Sequence, residues 1–372
     1  MHNWSESVER IVAYFDKQGG KVTLGIDGYI DEVWQIIETR ISATEYKLFD
    51  KIQDFIKAVD DFGTGGSLNE TIRKRRSYGG FTCNTGKAAG RLGSDLTMLG
   101  MFGKDIIDPL YREFQEKFKF FSVGDPGVGE VFEFLDGKIM LTHTEETSSV
   151  NWEQLVNTLS WDTLRTIYEE ADIVGLGYWS LMRNFDDLAS KLCEHFLEKG
   201  KCSRLFFDFS DIRKHGKSAL LRTLHTLAAL NKKVPMTLSI NEHEAKLLFS
   251  YMGRDFSWNE PENSEKDIDY VRLQTGLDEL IVHTPYFAVA STVSEGTATV
   301  LQRFCKDPVI TTGAGDNFNG GYVAACARRD ELSLSERLLV GNATTGYYIR
   351  NGYSPDKSDL RSEISKMLEA TL

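Results

Sequence analysis

Thr311-Thr312-Gly313-Ala314-Gly315-Asp316-Asn317-Phe318-Asn319-Gly320-Gly321, running on into an apolar-periodic segment over 322–328, decides how this chain is read. Small residues let a backbone approach a ligand closely, and the periodic run says that a helix starts here. Backbone N–H groups left free at a helix start form a pocket for an anion. Phosphoryl transfer needs such a pocket, because charge spreads over the oxygens of the group in flight. A carboxylate at the same helix start can take the proton of an attacking hydroxyl, and Asp316 stands in that position. A plain glycine turn with an aspartate N-cap is the structural alternative.

Outward from that stretch, short apolar runs alternate with helical periodicity. Strands are expected over 21–26, 95–100, 172–176, 204–208, 237–240 and 279–282, with helices over 84–92, 186–199 and 242–249. This alternation predicts an α/β fold whose mainly parallel central sheet is flanked by helices. Such sheets bind ligands at the carboxyl ends of their strands. Two stretches break the pattern. Residues 39–76 hold an expected helix over 43–62, the glycine-rich Gly63-Thr64-Gly65-Gly66 and the basic Arg73-Lys74-Arg75-Arg76; residues 128–141 alternate around the turn signal Asp136-Gly137. Both read as an appendage beside the sheet or as surface elaboration. Residues 261–267 read as a polar loop. His215-Gly216-Lys217-Ser218 resembles the end of a phosphate-binding loop, but Asp211 stands where that motif needs glycine, so it reads as a surface loop.

Composition limits the function. With 43 Lys and Arg against 55 Asp and Glu, the net charge of −12 argues against a nucleic-acid partner. The amino terminus lacks a signal-peptide pattern, and no apolar run approaches the roughly 20 residues needed to cross a bilayer. Five scattered cysteines suit reduced thiols. A cytoplasmic protein without membrane attachment is expected.

Thr312-Gly313-Ala314-Gly315-Asp316 resembles the carboxy-terminal signature of the ribokinase/PfkB carbohydrate kinases, and further segments follow in that family's order. The resemblance implies a single ribokinase-like three-layer domain over 1–372, with a small β-rich lid from about 32–78 and 125–145. It implies a kinase moving the γ-phosphoryl of ATP, with Mg²⁺, to a hydroxyl of a sugar or polyol. Asp316 would be the general base and Gly313, Ala314 and Gly315 the anion hole. Gly25-Ile26-Asp27-Gly28-Tyr29-Ile30-Asp31 looks like the first substrate loop, giving Asp27 and Asp31 as acceptors for sugar hydroxyls. Tyr78-Gly79-Gly80-Phe81-Thr82-Cys83-Asn84 resembles the first signature, which carries over Gly79, Gly80 and Asn84 as substrate contacts; Asn84 as a helix N-cap is the alternative. Asn241-Glu242-His243-Glu244 resembles the Asn-x-x-Glu element, assigning Glu244 to Mg²⁺ through water and Asn241 to the nucleotide; a capping box accounts equally for the pair. Thr312 and Asn342 complete the nucleotide contacts, and residues 282–289 fall in the nucleotide pocket by their place in the order.

A nucleoside kinase of the same fold, with a base platform from Tyr29, Trp34, Tyr78 or Phe81, and a silent sugar- or nucleotide-binding sensor are the alternatives. An exposed lid strand over 131–141 is available for pairing in a homodimer. Many relatives read Asp-Thr-x-Gly-Ala-Gly-Asp, where the first Asp organises a potassium site; Ile310 stands there in this chain. Monovalent cations should therefore activate weakly or not at all. A steep fall in rate when potassium is omitted from the assay would overturn that expectation.

Overall fold

The computed structural model describes residues 4–61, 63, 65–256, 261–328 and 331–369. Its main sheet has nine strands in the order β14-β13-β12-β11-β10-β9-β1-β5-β6. They are β1 (Lys21–Gly25), β5 (Asp95–Met101), β6 (Lys119–Gly124), β9 (Ile173–Leu176), β10 (Arg204–Asp208), β11 (Met236–Asn241), β12 (Glu279–His283), β13 (Phe287–Thr292) and β14 (Gly296–Leu301). Strands from β6 to β12 pair in parallel, and β13 and β14 add an antiparallel edge. A strand buried on both faces must be apolar throughout. In β10, Leu205 and Phe207 enter one core and Phe206 the other, so two helical layers enclose the sheet. The chain thus has the three-layer α/β architecture expected of it.

The second sheet runs β3-β2-β7-β8, with β4 paired to β2. Its strands are β2 (Tyr29–Arg40), β3 (Tyr46–Leu48), β4 (Thr71–Gly79), β7 (Gly127–Phe134) and β8 (Gly137–His143). The hairpin around Asp136-Gly137 joins β7 to β8 as its turn chemistry requires. Because β7 lies between β2 and β8, the free edge is β8 rather than the whole of 131–141.

Four helices place the site: α1 (Phe81–Arg91), α2 (Glu242–Tyr251), α3 (Ala314–Cys326) and α4 (Leu334–Asn351). Among the described residues no helix is long and apolar enough to cross a membrane. Three expectations need correction. The helix expected over 43–62 gives way to β3 and a shorter helix Ile52–Asp60, because 46–48 pair with β2 and Asp136 accepts from the Ile52 amide at 3.0 Å. Phe62 lies outside the described residues. The polar loop over 261–267 is instead the start of a helix Pro261–Thr275, whose apolar contacts, Ile268 and Val271, begin only after two polar turns. Lys217 and Ser218 open the helix Lys217–Asn231 with Gly216 as N-cap, rather than sitting in a loop.

Helix α3 is buried along residues 316–325 and wedged between α1 and α4. Glycine makes that approach possible, because a methyl on Gly320 would meet Ala88 Cβ at 2.5 Å and the Thr85 carbonyl at 2.6 Å. Gly320→Ala should lower the unfolding free energy by about 1–3 kcal/mol, the usual cost of overpacking. An unchanged urea midpoint would show that α1 and α3 can separate freely.

Candidate active site

The site gathers at the carboxyl ends of β1, β9, β10 and β11. Gly313, in the left-handed region at φ 80°, is the N-cap of α3 and turns the chain into it. Asp316 follows within the first turn and is 6% exposed. Asn84 Nδ2, from α1, donates to Asp316 Oδ2 at 2.9 Å. Tyr178 Oη, just past β9, donates to Asp316 Oδ1 at 2.7 Å. Burial pushes the Asp316 carboxyl up to about 6; these two hydrogen bonds pull it down and the Asp31 charge adds a further push upward. Burial also holds the Tyr178 phenol well above its ordinary range, so it stays a neutral donor. Asn84 lies inside α1, whose N-cap is Gly80, so its amide is free of capping.

Two cavities share the 311–315 turn as a wall. The smaller, about 250 Å³, is lined by Asp31, Arg75, Tyr78, Asn84, Lys138 and Thr312 among others. The larger, about 520 Å³, is lined by Asn241, His283, Ala314, Gly315, Phe304 and Asn342 among others. A third cavity, about 490 Å³, lies around Lys21, Asp95 and Lys119, the first residues of β1, β5 and β6, at the opposite end of the sheet.

Asp31 lies on β2, opposite Ser77 on β4 and Gly129 on β7. A Cβ on Gly79 or Gly129 would come within 2.8 or 2.7 Å of its carboxylate, so the two glycines clear its place. Burial raises the Asp31 carboxyl, and the Lys138 and Arg75 cations oppose that rise. Asp27 is another matter. Its Oδ2 accepts from the Phe81 amide at 2.7 Å, and its Oδ1 accepts from the Thr82 amide at 2.8 Å and the Thr82 hydroxyl at 2.5 Å. The sequence placed Asp27 against sugar hydroxyls; the structure commits both its oxygens to the start of α1, beneath Gly80.

On the other side of the wall, Asn241 caps α2 and Glu244 closes the capping box, with Oε2 accepting from the Asn241 amide at 2.9 Å. Glu244 Oε1 is buried and has no hydrogen-bond partner among the described residues. Burial first, and nearby Asp208 second, hold its carboxyl well above the usual range. His283 Nε2 is similarly buried without a partner, and burial depresses its imidazole to about 4. Asn342, expected at the nucleotide, donates its Nδ2 to the Val300 carbonyl at 2.9 Å and so ties α4 to β14. Thr312 turns its hydroxyl to Lys138 and its carbonyl to Tyr348 Oη. Ala314 N–H closes the turn on the Thr311 carbonyl at 3.1 Å.

Sequence reasoning missed Tyr178, Lys138 and Gly129. Tyr178 was within reach, since it follows the carboxyl end of an expected strand; Lys138 was hidden in a hairpin read only for its turn. Arg73-Lys74-Arg75-Arg76 lie within β4, where Arg75 reaches the smaller cavity and Arg76 pairs with Glu32 and Asp108.

The prokaryotic ketohexokinase family model matches residues 4–367. A ketohexokinase of Haloferax volcanii is 31% identical over 356 residues, covering 94% of this chain and 92% of its own. Among solved structures, a phosphofructokinase-2 mutant from Escherichia coli superposes with TM-score 0.64 at 15% identity, covering 94% of this chain and all of that one. A nucleoside kinase of Methanocaldococcus jannaschii gives 0.58 at 15%, with the same coverage. At that identity, these structures show the shared fold.

Removing the phenol hydroxyl removes a hydrogen bond to the ionised carboxyl. Tyr178→Phe should therefore raise the titration midpoint of Asp316 from about 6. The carboxyl ¹³C shift, assigned by its loss in Asp316→Asn, would report it; an unmoved or lowered midpoint would refute the hydrogen bond.

Proposed function

The chain belongs to the prokaryotic ketohexokinase family, within the ribokinase/PfkB sugar kinases, and from that premise we propose that it moves the γ-phosphoryl of ATP onto a ketohexose hydroxyl. It is a phosphotransferase with an alcohol acceptor. The observation that carries the finer reading is Asp316, clamped by Asn84 and Tyr178 at the start of the helix whose preceding turn separates two cavities.

The sugar occupies the smaller cavity, with hydroxyls on Asp31 and Asn84. Its attacking hydroxyl gives its proton to Asp316 as the oxygen–phosphorus bond forms. The bond to the bridging oxygen breaks and ADP leaves with the electron pair. With Ala314 N–H spent in the turn, the anion contacts narrow to the amides of Gly313 and Gly315. The nucleotide lies in the larger cavity, beside Asn241 and the stacked pair Tyr286 and Phe304.

Among the described residues no group of three or more His, Cys, Asp or Glu side chains could hold a metal ion. Mg²⁺ tolerates such a site, since it keeps several waters and leans on substrate phosphates. The unpartnered Glu244 Oε1 fits an outer contact of that kind. When bound there, the ion offsets charge on the nucleotide phosphates.

A nucleoside acceptor fits less well. Of the aromatic residues expected as a base platform, Tyr29 and Phe81 are in the core, and only Tyr78 lines the smaller cavity. Coupled ADP release across ketohexoses, aldohexoses and nucleosides should give the highest kcat/KM on a ketohexose, and a nucleoside in first place would sink the reading. Asp316→Asn should lower kcat by roughly 10²–10⁴, the contribution of a positioned base. In the wild type kcat/KM should fall as pH drops through about 6, since the base works only when ionised. Normal turnover by Asp316→Asn would remove the base from the mechanism.

A further inference from the structure

Three basic side chains, Arg75, Lys87 and Lys138, line the smaller cavity, and two are neutralised by neighbours. Arg75 pairs with Glu133 at 2.7 Å and Lys87 with Glu113 at 2.9 Å. Lys138 is the exception. It sits on β8 directly across from Glu133, the carboxylate its register would give it, but Arg75 takes that group. Among the described residues no carboxylate lies within 4.0 Å of the Lys138 ammonium. Its Nζ donates instead to Thr312 Oγ1 at 2.5 Å, one residue before the left-handed Gly313.

A cation carried by the second sheet thus ends on the turn that walls both cavities, held by a neutral hydroxyl. Its charge also bears through space on the buried Asp31 carboxyl, but no ion pair fixes it among the described residues, so it can meet an anion arriving at the turn. Anions there, on the reading given above, are the oxygens of the phosphoryl group in flight, whose charge needs fixed positive partners. We propose that Lys138 is a catalytic residue that contacts those oxygens. It leaves Thr312 for the phosphoryl group, donates hydrogen bonds without losing its proton, and consumes no reagent. The acceptor proton still goes to Asp316, and the electron pair of the broken bond still leaves with ADP. Rate would then depend on the second sheet being seated over the turn, because among the described residues the one cation that lines the smaller cavity from outside that sheet is Lys87 on α1, which Glu113 occupies.

This inference rests on the kinase reading, and its test separates the two. Lys138→Met should lower kcat by about 10²–10³, the loss seen when one preorganised group facing transition-state charge is removed. Sugar KM should stay near the wild-type value, and Lys138→Arg should recover much of the rate. A second measurement needs no acceptor at all. Calorimetry with ADP, Mg²⁺ and aluminium fluoride, a mimic of the transferring group, should show weaker binding to Lys138→Met by a similar factor. ADP with Mg²⁺ alone should bind both proteins equally. Three results would overturn the proposal: a loss confined to sugar KM, which would make Lys138 a sugar contact; full activity in Lys138→Gln, which would make it an uncharged latch on Thr312; or unchanged binding of the fluoride complex. A protein that turned over no sugar but still lost the fluoride complex in Lys138→Met would fail the acceptor reading alone.

Discussion

The Asp316 carboxylate is held at both oxygens, by Asn84 at 2.9 Å and by Tyr178 at 2.7 Å, from positions 232 and 138 residues away in the chain. Three elements must therefore arrive together before the group has a defined orientation: the start of α1, the end of β9 and the start of α3. Their meeting depends on helices packed closer than side chains normally permit. Gly320 admits the Ala88 methyl, and Gly321 admits the Thr344 side chain, so α3 sits against α1 and α4 nearly backbone to backbone. Steric tolerance at two glycines fixes where a charge is placed.

Burial of acids has an electrostatic cost that the site uses. Asp27, Asp208 and Asp316 are all buried, and burial raises all three carboxyls, Asp27 and Asp208 to about 7. Each finds a different partner set: Asp27 the amides at the start of α1, Asp208 the Ser210 amide and Asn319, Asp316 two neutral donors from side chains. Among the described residues none is paired with a cation, which would pull its affinity for protons far down. A base whose proton affinity sits near neutrality both accepts a proton and releases it, and neutral donors preserve that balance better than an arginine would.

The sequence was most legible where local geometry is strict. A left-handed glycine before a helix, Gly313, and a helix-start aspartate can be read from a few residues, because backbone sterics demand them. Strand positions in the main sheet were legible for a similar reason, since burial on two faces forces continuous apolar runs. Asp27 misled because its neighbourhood, a strand end beside an Asp31, is shared by capping and ligand-binding carboxylates; only the path of α1 separates them. The segment over 43–62 misled because pairing with β2 outweighed helical propensity, a contact between strands that no local window contains. Lys138 was illegible for a further reason: its role depends on Glu133 having been taken by Arg75, a competition among three strands.

The division between the sheets follows from these constraints. The main sheet and its helices can hold Asp316, Glu244 and the anion turn rigidly, since all sit at strand ends or helix starts inside a continuous core. They line one half of the smaller cavity, with Asn84, Asn317 and Tyr348, and leave the other half open. The second sheet supplies that half: Asp31 projects into space cleared by Gly79 and Gly129, and Arg75 and Lys138 offset its buried charge. Glycines on β4 and β7 weaken a sheet that already buries few side chains, and its strands β3 and β8 are short or open at the edge. Its hold on the main body near the 311–315 turn then falls to contacts such as the Lys138 hydrogen bond to Thr312. The acceptor half of the cleft is therefore tied to the turn by a side chain of the edge strand β8 rather than by the continuous core.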